Sequence, residues 1–267
     1  MSPSWDPWAV LQTPRQYVLV LLNQAVEDSA LLARLWHTAA YTVTVDGGTS
    51  VWHRTVTNTE VASPVPRLIC GDLDSADMAT VEHYRGLGAR VVVTPDQDHT
   101  DFTKALLELA KLHRHGEEGV AGAEAVLAFV ETGGRMDHVM GNIQSLFLAT
   151  KLAPELPPVY LCSSHCISWL LPPGTAPSFL HLAPCTLHLP GQHRLAVPQP
   201  APLHCGLVPL HGPAIVSTTG LQWDITHQQL SFGGLVSTSN SFSAGCKEVT
   251  VDTDNTLLWT MDLPHRG

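Results

Sequence analysis

The chain lacks any apolar run approaching the roughly 20 residues that a membrane-spanning helix requires, so we expect no membrane span. It also lacks a basic excess, because 14 lysines and arginines face 24 aspartates and glutamates, a formal net charge of −10. This balance disfavours nucleic acid or an anionic membrane surface as the main partner, since both are negatively charged. Charged residues form only 14% and hydrophobic residues 44% of the 267 positions, as expected of a globular protein with an ample core.

Cysteines are few and scattered along the chain, six in all. Cys162 and Cys166 form the nearest pair in sequence, and no second pair exists to complete a zinc site. Reduced thiols are a simpler interpretation than a disulfide framework in a chain of this length. The first residues, Met1 to Trp8, also lack the basic start of a signal peptide. We therefore expect a cytoplasmic protein.

Strand-like and helix-like segments alternate through the first half of the chain, which predicts a largely parallel sheet covered by helices. The clearest helix is Thr100–His113, where apolar residues recur at helical periodicity behind Thr100 as a candidate N-cap. The segments predicted in this half are the strands Tyr17–Leu22, Thr42–Val45, Arg67–Cys70, Arg90–Thr94 and Ala125–Glu131, and the helices Ala30–Ala39, Ala76–Leu87, Thr100–His113 and Met136–Thr150.

The pattern changes at Pro154–Pro158, beyond which acids are few and short β-like runs are separated by glycines and prolines. Such a pattern favours a β-sandwich or barrel. We therefore predict an α/β domain over residues 1–153 and an all-β domain over residues 154–267. The strands predicted in the second domain are Val159–Cys162, Ile167–Leu171, Thr186–Leu189, Ala214–Thr218, Leu230–Ser237, Glu248–Asp252 and Leu257–Met261.

Carboxylates are concentrated in two segments that each follow a predicted strand, GDLDS at 71–75 and PDQDHTDFTK at 95–104. Crowded like charges repel unless a positive charge lies between them. Mg²⁺ is the usual solution, because it takes one or two carboxylates and leaves room for substrate phosphates. Asp101 and Lys104 share a face of the predicted helix, near an N-terminus that favours anions. Together these segments predict a metal and phosphate site.

Two glycine-rich turns extend this prediction, DGG at 46–48 and GGRMDH at 133–138, in which Arg135 offers a bidentate fork for phosphate. Ligands of parallel α/β sheets bind beyond the carboxyl ends of the strands, so these turns converge with the acidic segments. Each motif alone also fits a simpler role. Asp74 or Ser75 could cap a helix, Asp101 and Lys104 could form a surface ion pair, and paired glycines could form a tight turn.

Trp223 lies in an otherwise polar, hairpin-like segment of the second domain. It could be an ordinary core tryptophan, or an aromatic platform for a flat, cationic ligand. The fifteen histidines lack the paired spacing of metal ligands on a helix, and we interpret them as surface or loop residues.

Together these motifs resemble the thiamine pyrophosphokinase family, in its animal form, from about Tyr17 to Met261. The resemblance implies a catalytic α/β domain and a C-terminal β-sandwich that binds thiamine and forms a homodimer, with active sites at the subunit interface. It implies transfer of pyrophosphate from ATP to the hydroxyl of thiamine, giving thiamine diphosphate and AMP, with Mg²⁺ required. The motifs that carry it are DGG at 46–48, GDLDS at 71–75, TPDQDHTDFTK at 94–104, GGRMDH at 133–138, CGLVPL at 205–210, TTGLQWDIT at 218–226, GGLVSTSN at 233–240 and VDTDNTLLWTM at 251–261.

The resemblance also implies roles for individual residues. Those implied for catalysis are Asp72, Asp74, Asp101 and Lys104, of which the three aspartates hold Mg²⁺. Those implied for ATP are Asp46, Gln97, Asp98, Thr100, Arg135 and Asp137. Those implied for thiamine are Trp223, Ser237 and Asn240, with the partner subunit's Trp223 stacking on the pyrimidine.

The chain departs from the family at Thr49–Val51, where DGG is usually followed by a small residue, an asparagine and a basic residue. This departure removes a polar pair near the nucleotide edge and leaves open a catalytically weakened paralogue that binds thiamine. A third interpretation is a metal-dependent phosphohydrolase of the Asp-x-Asp type. In that family, however, the acid pair normally follows the first strand.

Overall fold

The computed structural model describes residues 3–57, 64–174, 191–199 and 201–263. In this part of the chain no helix is long and apolar enough to span a membrane. The strands are β1 Ser4–Trp5, β2 Tyr17–Leu21, β3 Tyr41–Val45, β4 Leu68–Gly71, β5 Arg90–Val93, β6 Ala125–Phe129, β7 Val159–Cys162, β8 Cys166–Leu171, β9 Gly191–Ala196, β10 Cys205–Val208, β11 Ala214–Thr219, β12 Gln228–Leu230, β13 Ser237–Asn240, β14 Glu248–Thr253 and β15 Leu257–Asp262. The helices are α1 Pro7–Gln12, α2 Ser29–Thr38, α3 Gly48–Thr57, α4 Met78–Gly86, α5 Asp101–Arg114 and α6 Met136–Leu152.

The chain forms two compact units, residues 10–164 and residues 1–9 with 165–267. The predicted boundary between residues 153 and 154 differs from this division in two respects, at residues 154–164 and at residues 1–9. Residues up to 164 belong to the first unit because β7 pairs in parallel with β6. The first nine residues belong to the second unit because β1 pairs in parallel with β9, with Ser4 opposite Arg194.

The first unit contains a parallel sheet in the order β7-β6-β2-β3-β4-β5. Every residue of β2, β3, β4 and β6 is buried, which explains their near-continuous apolar sequences. The helix α5 is confirmed, and Thr100 caps it by accepting a hydrogen bond from the Thr103 backbone N–H at 3.1 Å. The parallel α/β prediction for this half of the chain is therefore confirmed.

The second unit contains two largely antiparallel sheets, ordered β13-β10-β15-β8 and β1-β9-β14-β11-β12. Trp5 of one sheet lies 6.2 Å, between ring centroids, from Trp169 of the other, and Trp169 lies 6.2 Å from Trp259. Aromatic rings therefore fill the space between the sheets, as a sandwich core requires. The predicted β-sandwich is confirmed.

Several element predictions are corrected. The helix α3 was not predicted, because its Gly-Thr-Ser start resembles a turn; it forms with Trp52 fully buried and stacked on Trp36 at 3.6 Å. The single strand Leu230–Ser237 is wrong, since β12 ends at Leu230 and a turn with Gly233 at φ 81° precedes β13. The strands β9 and β10 were missed. The predicted strand Thr186–Leu189 lies outside the described residues.

Candidate functional site

Three carboxylates meet where β3 and β4 end. Asp46 follows β3, Asp72 and Asp74 follow β4, and one oxygen from each lies within 4.8 Å of the others. Asp46 is buried, Asp72 is half-buried and Asp74 is exposed, so the cluster runs from the sheet edge towards solvent. The parallel pairing of β3 with β4 places the two turns side by side. We call this group the carboxylate cluster.

Glycines allow the turns that follow β3 and β4 to pack closely against neighbouring backbone. A Cβ on Gly48 would lie 2.6 Å from the Leu21 carbonyl oxygen, a distance that side chains do not tolerate against backbone. Gly71 has φ of 137°, and a Cβ there would lie 2.9 Å from the Asp46 Cβ. The glycines that follow β3 and end β4 are therefore requirements of the packing between these turns.

Asp46 is held in place by backbone donors. Its Oδ1 accepts a hydrogen bond from the Ser75 backbone N–H at 3.1 Å, and its own N–H donates to the Cys70 carbonyl at 2.8 Å. Burial raises the pKa of Asp46, the N–H groups of Gly47 and Ser75 oppose that rise, and the nearby Asp101 charge adds to it. A cation at the cluster would relieve this crowding of negative charge.

Lys104 connects α5 to the cluster from a buried position, with only 4% of its side chain exposed. Its Nζ lies 2.6 Å from Asp101 Oδ1 and 3.4 Å from Asp72 Oδ2. It also donates to the carbonyl oxygens of Thr94 at 3.2 Å and Asp96 at 3.0 Å. Burial acts to lower the pKa of Lys104, but Asp101 and Asp72 outweigh that effect and raise it. The ammonium is therefore a fixed positive charge between two carboxylates.

The cluster differs in membership from the predicted metal trio of Asp72, Asp74 and Asp101. The third clustered carboxylate is that of Asp46, which had been placed on the ATP side, whereas Asp101 pairs with Lys104. Burial acts to raise the pKa of Asp72, but the Asp74 N–H, Lys104 and Gln97 together lower it. Gln97 Nε2 donates to Asp72 Oδ2 at 3.4 Å, so its side chain lies at the same wall.

The segment between β5 and α5 is a self-bonded loop. Asp96 accepts hydrogen bonds from the Asp98 N–H at 2.8 Å and pairs with His99 Nδ1 at 2.6 Å. The Asp98 N–H, with His99, lowers the pKa of Asp96. Asp98 is exposed, and the Thr100 hydroxyl is engaged with the α5 backbone and with Ser145 Oγ at 3.0 Å. Thr100 thus has a clear role in anchoring α5 to α6.

Arg135 and Asp137 form an exposed ion pair at the start of α6. The Asp137 carboxylate raises the pKa of Arg135, and Arg135 in turn lowers the pKa of Asp137. Arg135 is the residue that precedes α6, and Gly134 before it has φ of 84°. This pair belongs to the turn after β6, on the opposite side of β2 from the carboxylate cluster in the strand order.

The departure at Thr49–Val51 has a structural role that the sequence did not reveal. Ser50 Oγ accepts a hydrogen bond from the Asp77 N–H at 3.0 Å, and Thr49 Oγ1 lies 2.9 Å from Thr44 Oγ1. Asp77 itself caps α4 by accepting from the Thr80 N–H at 3.2 Å. The alternative role of Asp74 or Ser75 as the N-cap of this helix is therefore wrong, and the Ser50 contact holds α3 to the start of α4.

The three residues assigned to thiamine lie together in the second unit. Asn240 is buried and bonds the Trp223 backbone twice, with Nδ2 donating to the Trp223 carbonyl at 3.0 Å and Oδ1 accepting from its N–H at 3.2 Å. Asn240 Nδ2 also lies 3.4 Å from Ser237 Oγ. The Trp223 residue is 61% exposed, so it is not a core residue. Its backbone is fixed and its surface is available to a ligand.

Asp224 completes that loop and was missed by the sequence analysis. Its carboxylate accepts hydrogen bonds from Thr218 Oγ1 at 2.8 Å, the Gly220 N–H at 3.0 Å and the Leu221 N–H at 3.1 Å. The signal in the sequence was Gly220 close to Asp224, because glycine and aspartate are both common in turns; in the structure Gly220 has φ of 94°.

The fold and its sites define a class of protein with two units. The α/β unit carries carboxylates and a buried lysine at its sheet edge, which form an acidic site. The β-sandwich presents an exposed tryptophan, which forms an aromatic site. Residues 32–156 match the family described as "Thiamin pyrophosphokinase, catalytic domain", and residues 192–258 match "Thiamin pyrophosphokinase, vitamin B1 binding domain". The chain belongs to the thiamin pyrophosphokinase family.

Curated relatives match along nearly the whole chain. Thiamine pyrophosphokinase 3 of Oryza sativa subsp. japonica is 32% identical, over 94% of this chain and 88% of that protein. Thiamine pyrophosphokinase 1 of Arabidopsis thaliana is 32% identical, over 96% and 89%. Thiamin pyrophosphokinase 1 of Caenorhabditis elegans is 27% identical, over 99% and 97%.

Two solved structures share the fold. Thiamin pyrophosphokinase from Candida albicans superimposes with a TM-score of 0.78 at 21% identity, covering 98% of this chain and 93% of that chain. The yeast enzyme superimposes with a TM-score of 0.77 at 20% identity, covering 97% and 90%. The folds of the α/β unit and the β-sandwich are therefore shared with these proteins.

Proposed function

We propose that the chain transfers pyrophosphate from ATP to the hydroxyl of thiamine, giving thiamine diphosphate and AMP. Its family membership makes it an enzyme, a thiamine diphosphokinase of thiamine diphosphate biosynthesis. The observation that carries the proposal is the meeting of Asp46, Asp72 and Asp74 beside the buried Lys104, which pairs with Asp101. This arrangement suits a triphosphate, which needs cations on several oxygens at once.

The donor set of the carboxylate cluster fits Mg²⁺. Three carboxylate oxygens within 4.8 Å of one another are hard ligands, and the pKa of Asp46 is raised chiefly by burial, with the Asp101 charge adding to the rise. We assign metal binding to Asp72, Asp74 and Asp101 as the motifs imply, and add Asp46. When bound, Mg²⁺ supplies positive charge that neutralises polyphosphate oxygens.

The protein's own contribution to the reaction is positioning and charge. The thiamine hydroxyl oxygen forms a bond to the β-phosphorus in line with the bond to the α-phosphate oxygen, which breaks to release AMP, and the hydroxyl proton passes to solvent water. Lys104 holds Asp72 and Asp101 in place and stabilises the charge that spreads over the transferred oxygens. Asp72, with its lowered pKa, is a weak base, so we assign it positioning rather than proton removal.

The remaining assignments are also part of the proposal. On the ATP side they are Gln97, Asp98, Thr100, Arg135 and Asp137. Trp223, Ser237 and Asn240 form the thiamine pocket of a homodimer with active sites at the subunit interface, where the partner subunit's Trp223 stacks on the pyrimidine. We place the protein in the cytoplasm, in keeping with its few cysteines, which are scattered along the sequence.

A catalytically weakened paralogue is the second candidate, motivated by Thr49–Val51. The contact between Ser50 and the Asp77 N–H weighs against it, because the departing segment supports the packing of α3 with α4. A phosphohydrolase is disfavoured because the Asp-x-Asp segment follows β4, and Asp46, after β3, joins the same cluster.

One assay separates the three candidates. The purified protein is incubated with ATP and Mg²⁺, with and without thiamine, and AMP, phosphate and thiamine diphosphate are measured by chromatography. We expect equal amounts of AMP and thiamine diphosphate, formed only with thiamine and abolished by excess EDTA. Release of inorganic phosphate without thiamine would indicate a phosphohydrolase. Calorimetric binding of thiamine without any AMP formation would indicate the binding paralogue and overturn the proposal.

A further inference from the structure

Glu131, two residues beyond β6, is a buried carboxylate to which the proposed reaction assigns no role. Only 5% of the residue is exposed. Its backbone N–H donates to Gln24 Oε1 at 2.7 Å, which joins the segment after β6 to the segment after β2. Buried carboxylates are uncommon unless hydrogen bonds satisfy them, so the hydrogen bonds of this side chain indicate a specific role.

The carboxylate of Glu131 accepts hydrogen bonds from two other segments. Its Oε1 lies 2.5 Å from Ser164 Oγ and 3.4 Å from the Glu27 N–H, and its Oε2 accepts from the Ser164 N–H at 3.2 Å. Ser164 Oγ also accepts from the Asp28 N–H at 3.0 Å. Since Glu27 follows β2 and Ser164 follows β7, one side chain ties together the carboxyl ends of three neighbouring strands.

The chemistry of these contacts specifies a carboxylate. All three groups that face it are N–H or O–H donors, and an ionised carboxylate accepts at both oxygens. A glutamine of the same shape would direct N–H groups at N–H donors on one side. The site is therefore matched to an acceptor-only side chain, not merely to one of this size.

The segment that Glu131 anchors leads directly to Arg135. Gly133 lies beside Glu27, because a Cβ there would be in ordinary van der Waals contact with its Oε1 at 3.8 Å, and Gly134 has φ of 84°. The ion pair of Arg135 is with Asp137, two residues along, so it fixes the arginine to its own turn rather than to the sheet. The position of that turn relative to the sheet depends on the contacts at Glu131.

We propose that Glu131 and Ser164 are positioning residues for ATP: they hold the turn at 133–137 so that Arg135 meets the nucleotide. This inference rests on the proposed function. It assigns neither residue a contact with substrate. Because the carboxylate cluster follows β3 and β4, on the other side of β2, loss of these contacts weakens ATP binding and leaves thiamine binding and the metal site unchanged.

The test compares Ser164→Ala, Ser164→Thr and Glu131→Gln with the wild type. A matched control is Glu118→Gln, which makes the same chemical change at an exposed residue between α5 and β6. For each variant, kcat, the KM for ATP, the KM for thiamine and the melting temperature are measured. We expect Ser164→Ala and Glu131→Gln to raise the KM for ATP about tenfold, with the KM for thiamine within about twofold, and Ser164→Thr to restore it.

The outcomes are decisive in each direction. An equal rise in both KM values, no rise in either, or a lower melting temperature with unchanged KM for ATP would reduce Glu131 to a structural role and overturn the inference. If the wild type forms no AMP, the proposed function itself fails. Calorimetric titration of each variant with ATP and Mg²⁺ then tests the positioning role alone, and equal ATP affinity in Ser164→Ala and the wild type would overturn it.

Discussion

At the scale of single residues, the site is organised by one buried ammonium. Lys104 contacts two carboxylates and two backbone carbonyls from segments after β4, after β5 and in α5. A compact ammonium with three donors suits this position better than a guanidinium, whose planar fork needs more space. Lys104 therefore holds the two carboxylates in place and, in the proposed reaction, supplies positive charge that stabilises the triphosphate.

Replacing Lys104 with methionine, which retains length but not charge, tests this double role. We expect the unfolding free energy to fall by about 2 kcal/mol, because Asp101 and Asp72 lose their buried cation. We also expect kcat to fall at least about 100-fold. Since Lys104 helps to lower the pKa of Asp72, any residual activity should be lost on acidification at a higher pH than in the wild type. Unchanged turnover would contradict the assigned role.

The carboxylates themselves give a second prediction. Asp72→Asn and Asp101→Asn each remove one negative charge and retain the shape of the side chain. We expect AMP formation to fall at least about 100-fold in both variants, with circular dichroism showing an intact fold. Glu118→Gln serves again as the control and should retain full rate. If both aspartate variants kept full activity, neither Asp72 nor Asp101 would belong to the active site.

At the scale of elements, the turn that joins β3 to α3 depends on close backbone approach. We predict that Gly48→Ala destabilises the protein by about 2 kcal/mol and lowers activity, because its Cβ would lie 2.6 Å from the Leu21 carbonyl. Helix propensity alone predicts the opposite sign, since alanine is favoured over glycine in a helix by about 1 kcal/mol. Equilibrium urea unfolding measures the sign.

Gly86→Ala is the matched control for that prediction. Gly86 is the last residue of α4, and a Cβ there would meet nothing within 4 Å. The substitution should stabilise the protein by about 0.5 kcal/mol and leave activity unchanged. Equal effects of Gly48→Ala and Gly86→Ala would show that the approach of the turn to β2 is not what requires glycine.

At the scale of the whole molecule, the N-terminal segment is held in the second unit by a buried histidine. Trp5 Nε1 donates to His193 Nδ1 at 3.1 Å, and His193 Nε2 donates to the Pro172 carbonyl at 2.8 Å, so a neutral ring satisfies both contacts. His193 is buried, and burial lowers its pKa, partly offset by the Pro172 carbonyl and by Asp252. The N-terminal strand therefore depends on the protonation state of one histidine.

This arrangement predicts a dependence of stability on pH. With the folded pKa lowered, the contribution of His193 is fully present above the unfolded value of about 6.5 and is lost as the pH falls towards the folded value. The loss should approach about 1.4 kcal/mol per pH unit in chemical unfolding followed between pH 8 and pH 5. His193→Gln should flatten this part of the profile. An equal slope in wild type and variant would rule out His193 as the titrating group.

Most of the α/β unit was predictable because its signals are local. Buried parallel strands form continuous apolar runs, and α5 is indicated by its N-cap Thr100 and its apolar face. The strand β9 was missed because His193 occupies one of its buried positions. The sequence of β9 therefore lacks the alternation of apolar and polar residues that indicates a strand. The helix α3 was missed because its stability comes from packing, with Trp52 stacked on Trp36, rather than from its own residues.

The sequence by itself determined the succession of parallel α/β and β-sandwich units and the residue types of the site, since periodicity and motifs are properties of neighbouring residues. Tertiary structure decided which carboxylates meet: Asp46 joins Asp72 and Asp74, while Asp101 pairs with Lys104. It also revealed the tie between Glu131 and Ser164. Strand order and burial set the distances between these side chains, and neither can be predicted from the spacing of residues along the chain.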